Sequence, residues 1–495
     1  MSVISVNNLT FAYDGSYSNI FENVSFQLDT DWKLGFVGRN GRGKTTFLNL
    51  LLDKYEYKGS ISKSVVFDYF PFTVEDKSVD TITIVDMVCH DYEPWQLSRE
   101  LSMLRVDEDV LYRAFSTLSG GEQAKVLLAA LFLCQNHFLL LDEPTNHLDS
   151  EARDIIAQYL KTKKGFILVS HDRMFLDECT DHVLSINKTN IEIQKGNFSS
   201  WWENKKLQDE FEASQNQKLK KDIKRLAESS KRTANWSDSV EKTKYASGNS
   251  GIKQSDTGYV GHKAAKMMKT SKRLENRRQN AIDKKSALLK NVESIDELKL
   301  HPLKYHSNRL ISLKDVSINY DSNTVCENIS IAVEVGDRIS VLGRNGSGKT
   351  SVLKLILGSD TDVQYSGDIS TASGLKISYV PQDTSFLKGS LNDFVTKSQI
   401  DETLFKTILR KLDFEREQFG QSLEDYSEGQ KKKVLIAKSL SEQAHVYVWD
   451  EPLNFIDIFS RIQIEKLILK YEPTLIFVEH DRIFSKLIAT KTLEL

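Results

Sequence analysis

One series of features occurs twice along this 495-residue chain, in the same order and at nearly constant spacing. An apolar strand-like run, a glycine-rich turn and an apolar helix-like run appear in WKLGFVGRNGRGKTTFLNLL and again in VGDRISVLGRNGSGKTSVLKLIL. A run ending in two carboxylates appears in HFLLLDEPTNHLD and HVYVWDEPLNFID, and one ending at a histidine in KGFILVSHDRMF and PTLIFVEHDRIF. Lys44 and Lys349 are 305 positions apart, Asp142 and Asp450 308, and His171 and His480 309. Offsets this constant mean an internal duplication, so the chain must build two similar modules. Continuous apolar runs of four to six residues between helices predict parallel sheets covered on both faces. The alternating stretches ISVNNLTFAY and NVSFQLD predict antiparallel strands with one wet face. The expected class is α/β, with modules at 1–199 and 305–495.

The repeats are joined by a segment of opposite charge. Residues 201–290 hold 22 Lys+Arg against 11 Asp+Glu, while the rest of the chain holds 44 against 58. Leu207, Phe211, Leu219, Ile223 and Leu226 fall near helical spacing, and Met267, Leu274, Ala281 and Leu288 are seven apart. Between them KYASGNSGIKQSDTGYVGH is rich in Gly and Ser, which helices avoid. The expected linker, 200–304, is an antiparallel helical hairpin with an irregular tip near 245–259. A charged hairpin alone is often just a solvated spacer. The net charge and the basic second helix point instead to a polyanion partner.

Other features narrow the class. The start MSVISVNNLT has no basic stretch followed by an apolar core, and no run of about 18 uncharged apolar residues exists, so neither a signal peptide nor a membrane helix is expected. Cys89, Cys134, Cys179 and Cys326 are scattered and form no CxxC, which disfavours structural zinc and a disulfide framework and suits a reducing cytoplasm.

The two GxxxxGK[ST] turns suit phosphate chemistry. Gly38, Arg39, Asn40, Gly41, Arg42, Gly43, Lys44, Thr45 and Thr46 form one; Gly343, Arg344, Asn345, Gly346, Ser347, Gly348, Lys349, Thr350 and Ser351 form the other. Glycines let backbone N–H groups wrap phosphates, lysine adds charge at the β/γ positions, and the Thr45 or Thr350 hydroxyl can take Mg²⁺. Asp142 and Asp450 can organise the metal, Glu143 and Glu451 can polarise an attacking water, and His171 and His480 can reach a γ-phosphate. An acidic pair or a lone histidine would more often be structural, but the Lys–Asp–His order occurs twice.

Leu118-Ser-Gly-Gly-Glu-Gln123, ahead of an apolar helix, resembles the signature motif of ABC ATPases. Leu148-Asp149 and the aromatic Tyr13, placed to stack adenine, fit the same pattern. The second half matches with Tyr320, Gln382, Ser427-Glu-Gly-Gln430, Ile456-Asp457 and His480. Two modules without a membrane domain, EPTNHLD in the first half and a long helical linker resemble the ABC-F family over essentially the whole chain. The resemblance implies two P-loop ATPase modules in an intramolecular head-to-tail sandwich of a monomer, with ATP and Mg²⁺ as cofactors. Site one would join Lys44, Asp142, Glu143 and His171 to Ser427 and Gly429. Site two would join Lys349, Asp450, Glu451, His480 and the metal-holding Gln382 to Ser119, Gly120 and Gly121.

Two departures fall on site one. Phe72 stands where the family usually has the glutamine kept as Gln382, and Glu428 replaces the first glycine of the second signature. A carboxylate beside a γ-phosphate would repel it unless it points away. Site two is therefore expected to do most of the hydrolysis.

Phe72 and Ser119 are 47 positions apart and Gln382 and Ser427 45, which leaves no room for the arm of many ABC-F translation factors. The chain ends about fifteen residues after His480, so no C-terminal extension is expected. With LGFVGRNGRGKTT, FDYFP and SDTGYVGHKAAKMMK, these features resemble the antibiotic-resistance ABC-F proteins, particularly the Lsa type. That implies a cytoplasmic ATPase that binds the exit site of the 70S ribosome and pushes its linker tip toward the peptidyl-transferase centre. It would displace lincosamides, streptogramin A and pleuromutilins. Lys242, Lys244, Tyr245, Lys253, Tyr259, Lys263, Lys266, Lys269, Lys272, Arg273, Arg277 and Arg278 would face 23S rRNA and P-site tRNA. The alternatives are an ABC-F translation factor without a drug phenotype and the ATPase subunit of a drug exporter. The altered Phe72 segment and the otherwise idle linker weigh against the exporter. A DNA-repair ABC ATPase would need zinc CxxC motifs that are missing.

Overall fold

The computed structural model describes residues 2–15, 19–146, 148–187, 190–245, 269, 272–273, 276, 297–320, 323–358 and 364–495. They form two units: Met1–Trp201 with Ile295–Leu495, and Trp202–Ser294. The first unit contains both repeats.

Each repeat begins with an antiparallel three-stranded sheet. In the first it runs Phe21–Asp29, Val3–Phe11, Lys58–Ser62, and in the second Asn323–Glu334, Arg309–Tyr320, Gln364–Thr371. Strict alternation in Val3–Phe11 holds only to Val6; the buried set then resumes one position late, at Leu9 and Phe11. The extra residue is Asn8, whose φ of 49° suits a short polar side chain. Asp315, with φ 50°, does the same between Leu313 and Val316. The duplication therefore extends to the bulges.

The second sheet of each module is parallel at its centre. The first has the strand order Val66–Phe70, His137–Asp142, Phe166–Val169, Lys33–Val37, His182–Asn187, Asn190–Lys195, with only the last pair antiparallel. The second runs Ile377–Val380, Val446–Asp450, Leu475–Val478, Arg338–Leu342, Lys491–Glu494, all parallel. Phe166–Val169 and Leu475–Val478 are buried at every position, as a sheet covered on both faces requires. The glycine-rich turns, carboxylate pairs and histidines all follow C-terminal ends of these strands, where an open α/β sheet presents its ligand crevice.

One helix, Phe198–Tyr245, starts in the first unit and runs for 48 residues, nearly all of them in the second. Its apolar Leu207 and Phe211 are exposed among charges. Lys269, Lys272, Arg273 and Asn276 are helical and exposed. Lys253, Tyr259, Lys263, Lys266, Arg277 and Arg278 lie outside the described residues, as do the side chains of Lys242, Lys244 and Tyr245 and most of the expected tip. Leu298 and Leu300, assigned to the linker by sequence, are buried in the core of the second module with Phe405 and Leu409.

Candidate active sites

Both glycine-rich turns deliver their lysine from a helix start. Gly43 precedes the helix Lys44–Leu51 with φ 90°, and a Cβ there would lie 2.5 Å from Ile20. Gly348 precedes Lys349–Leu357 with φ 88° and the same crowding from Cys326. Only glycine meets both conditions. Lys44 Nζ donates to the carbonyls of Gly38 (2.7 Å) and Arg39 (3.3 Å), and Lys349 Nζ to those of Gly343 (2.9 Å) and Arg344 (2.8 Å). Burial lowers the pKa of both ammonium groups.

Beside the first turn, the Tyr13 hydroxyl pairs with Thr46 Oγ1 at 2.8 Å, and its ring meets Phe11 and Tyr55 edge-on. Tyr320 ends its strand, and its side chain lies outside the described set. Thr45 Oγ1 and the Tyr69 hydroxyl both donate to Asp142 Oδ2 at 2.9 Å. Asp450 is different. It is fully buried, and neither carboxylate oxygen makes a hydrogen bond of good geometry, although the Thr350 hydroxyl lies near enough to favour its ionised form. Burial pushes its pKa up to about 6. An orphaned buried carboxylate at a strand end fits a divalent cation better than it fits an empty core.

The next carboxylates share a backbone and differ in environment. Glu143 and Glu451 have φ of 51° and 46°, in the left-handed region, and each N–H bonds the neighbouring strand, at Val169 and Val478. Such strain at a long side chain is held by its surroundings and marks functional sites. Glu451 Oε2 accepts from Gln382 Nε2 at 2.9 Å and from Asn454 Nδ2 at 2.5 Å, and its Oε1 lies 3.4 Å from His480 Nε2. Burial alone would raise its pKa, but His480, Lys432 and Gln382 outweigh burial and hold it below the usual carboxylate range. Glu143 has His171 Nε2 at 3.5 Å, and its buried Oε1 has no hydrogen-bond partner. Burial, with Asp142 adding to it, pushes the Glu143 carboxyl up to about 8. His171 is held neutral by burial, reinforced by Lys44 and Arg461.

The signature serines each open a helix, Gly120–Leu133 and Glu428–Ser441, in a capping box: Ser119 with Glu122 and Ser427 with Gln430. At site one the two modules touch. Asn40 Nδ2 donates to the Phe455 carbonyl at 2.8 Å, and a Cβ on Gly429 would lie 2.6 Å from that oxygen and 3.1 Å from Asn40. Arg39 pairs with Asp413 and lies over the Phe459 ring. Arg344 likewise reaches across, to Glu151 at 3.0 Å. At site two a cavity of about 860 Å³ lies between Asp149, Glu151, Arg344, Lys349 and His480. A neighbouring one of about 480 Å³ reaches Thr350, Gln382 and Glu451. Site one thus joins its loop to Gly429, whereas at site two a cavity lies between the second loop and Asp149.

The structure corrects the expected effect of Glu428. Its carboxylate accepts from Thr384 Oγ1 at 2.6 Å and pairs with Lys431 at 3.1 Å, both within its own module. It is held away from the first loop, which removes charge repulsion as a reason to expect slow turnover at site one. Sequence reasoning also missed Lys432, which is buried, donates to the Pro381 carbonyl at 3.1 Å and lies in the field of Glu451. The signal was visible: Lys431, Lys432 and Lys433 stand where the first signature helix has Gln123, Ala124 and Lys125.

The ABC transporter family profile matches residues 21–146 and 326–454, together more than half of the chain. The chain belongs to this family, as one of its ABC-F members. It is therefore an ATP-binding protein and an ATP hydrolase. This ABC-F chain is 27% identical over 500 residues to the ribosome protection protein VmlR of Bacillus subtilis (strain 168), covering 97% of this chain and 84% of that one. It is 28% identical over 500 residues to the ATP-binding protein Uup of Caulobacter vibrioides, covering 96% and 74%. In fold it is similar to the archaeal ribosome recycling factor aABCE1 (TM-score 0.63, 18% identity, 98% of this chain and 87% of that one). The RNase-L inhibitor gives the same score and identity, covering 99% and 87%. Among the described residues no helix is long and apolar enough to cross a membrane.

Proposed function

We propose that this ABC-F protein is a ribosome-bound ATPase that protects the peptidyl-transferase centre from lincosamides, streptogramin A and pleuromutilins. The observation that carries the reading is its end-to-end similarity to a protein named for ribosome protection. The basic insert between two acidic modules supports it, since a net charge of +11 over residues 201–290 suits an RNA partner. In this reading the modules close on ATP, the linker reaches from the exit site toward P-site tRNA, and hydrolysis releases the complex.

In site two, Lys349 and the N–H groups of its loop bind the phosphates, with Ser119, Gly120 and Gly121 closing over them. The ionised Glu451 accepts a proton from the attacking water, Gln382 and Asn454 fix its orientation, and His480 faces the γ-phosphate. Mg²⁺ fits Asp450 with Thr350 and Gln382 here, and Thr45 with Asp142 in site one, and when bound neutralises phosphate charge. In site one Glu143 keeps its proton at neutral pH and is a poor base, so Lys44, Ser427 and Gly429 serve binding more than turnover.

Co-sedimentation of the Glu143→Gln/Glu451→Gln double variant with ribosomes in ATP tests the reading; no association sinks it. Minimum inhibitory concentrations in a sensitive host then test protection, which a translation factor without a drug role would leave unchanged.

A further inference from the structure

Away from both nucleotide sites, the fold brings together side chains that the sequence scatters. Asp68 lies on the edge strand Val66–Phe70, Cys134 caps the helix Gly120–Leu133, and His137 opens the strand His137–Asp142. Between Cys134 and His137 the chain turns through Asn136, whose φ is 60°. The two strands pair in parallel with Val66 opposite His137, so Asp68, two residues on, shares the face of His137. The ligand atoms of Asp68, Cys134 and His137 lie within 4.8 Å of one another.

A fourth group stands beside them. Cys89 is buried at the end of the helix Thr81–Val88, and the Cys134 thiol lies 3.6 Å from the carbonyl of Val88 and within reach of the Cys89 thiol. Asp68, Cys134 and His137 are half-buried, dry enough to hold an ion and open enough to admit one. His137 Nδ1 and Asp68 Oδ2 already share a hydrogen bond. An ion pair explains those two residues but not why the Cys134 thiol, which donates to the Val88 and Ala130 carbonyls, stands within ligand distance of both.

We propose that Asp68, Cys134 and His137, with Cys89 drawn in as the fourth ligand from its place beside Cys134 and outside that group, bind one borderline-soft divalent cation, zinc above all. One or two sulfurs, one imidazole nitrogen and one carboxylate oxygen are ligands zinc takes in tetrahedral geometry, whereas Mg²⁺ and Ca²⁺ select oxygen. Closing the group onto an ion needs side-chain shifts of about 1 Å. On binding, the Cys134 S–H bond breaks, a sulfur–metal bond forms, and the proton leaves to solvent; Cys89 does the same. The Asp68–His137 hydrogen bond opens and both become ligands. No electron is transferred. The ion would tie the end of the first signature helix to the strand carrying Tyr69, which bonds Asp142.

The test uses the full chain, stripped with chelator and titrated with Co²⁺ without nucleotide or Mg²⁺. One equivalent should bind, with a thiolate-to-cobalt charge-transfer band that one equivalent of Zn²⁺ abolishes. Cys134→Ser should weaken the band, Cys89→Ser/Cys134→Ser should remove it, and His137→Ala and Asp68→Asn should weaken binding at least about tenfold. Cys179→Ala should change nothing, since Cys179 is buried elsewhere. Circular dichroism of each variant separates lost binding from lost fold, and Asp68→Asn, which keeps shape, serves if Cys134→Ser fails to fold. No charge-transfer band in the native chain, a band unchanged by Cys134→Ser, or one that survives Cys89→Ser/Cys134→Ser, overturns the proposal.

Discussion

Gln382 donates its side-chain amide to Glu451 across 2.9 Å, and the first module cannot repeat this bond because Phe72 occupies the matching place. The duplicated scaffold sets both carboxylates in the same left-handed backbone conformation. Their neighbours then divide them: Glu451 is bonded by Gln382 and Asn454 and held below the usual carboxylate range, while Glu143 lacks those donors and its carboxyl is pushed up to about 8.

Replacing the two carboxylates one at a time should therefore give unequal losses. Glu451→Gln removes the ionised base and should cut steady-state ATP turnover by on the order of 10²-fold or more. Glu143→Gln should cost less than about threefold, since it replaces a carboxyl already neutral at pH 7. Turnover under saturating ATP decides it, and a larger loss in Glu143→Gln reverses the assignment.

The Gln382 bond can be probed on its own. A hydrogen bond to a charged group is worth about 1.5–3 kcal/mol, so Gln382→Leu should lower turnover roughly 10- to 100-fold. Phe72→Gln should gain less than about twofold, because Tyr69 and Thr45 already bond Asp142 and burial still protonates Glu143. Full recovery of site-one turnover on that change would show that the glutamine alone had been missing.

Much of this was legible in the sequence, for physical reasons. Glycine-rich turns, continuous apolar strands and paired carboxylates are local patterns, and a duplication lets each be read twice. Phe72 was visible as a departure for the same reason. The state of Glu143 was not, because it is a balance struck in the folded chain: burial and Asp142 raise its pKa, while Arg461 of the second module and Lys44 of the first lower it. The direction of Glu428 was equally hidden: a rotamer aimed at Thr384, 44 positions earlier, leaves no trace in a motif. Cys134 and His137 are close in sequence, but only strand pairing brings Asp68 to them.

The modules are also held by a buried pair that no motif announces. Arg173 makes two hydrogen bonds to Glu465, the longer at 3.1 Å, and both side chains are about nine-tenths buried. Removing one partner strands the other charge, so Arg173→Ala or Glu465→Ala should destabilise by about 3–5 kcal/mol, whereas Arg173→Met/Glu465→Leu should cost much less. Denaturant unfolding of the three variants checks this; equal losses in single and double variants would mean the two charges are not coupled.

The proposed RNA partner makes the linker charges measurable. Lys269, Lys272 and Arg273 are each helical and exposed. Changing all three to glutamine should weaken ribosome binding and lower the slope of log affinity against log salt by up to about 2. An unchanged slope would remove these residues from the contact, while ATPase activity of the free protein should stay as it was.

The protonated Glu143 makes stability depend on pH in a defined direction. Its carboxyl faces Asp142 on its own module, His171 on the adjoining strand end, Lys44, and Arg461 from the second module. Burial lifts its pKa from the ordinary 4.5 to about 8. Between those values the folded chain keeps a proton that the unfolded chain releases, so this group's contribution falls as pH rises through that window. Asp450, lifted from 3.8 to about 6, acts the same way at lower pH. Glu143→Gln removes the first titration and leaves the second. Its thermal midpoint should match the wild type's pH dependence near pH 4 to 5, then exceed it by an amount growing toward pH 8, on the order of a few degrees for a domain this size. Thermal unfolding followed by circular dichroism at half-unit pH steps measures the difference. Parallel curves from pH 5 to 8 would mean that Glu143 is ionised in the folded chain and that the two sites are more alike than their neighbours imply.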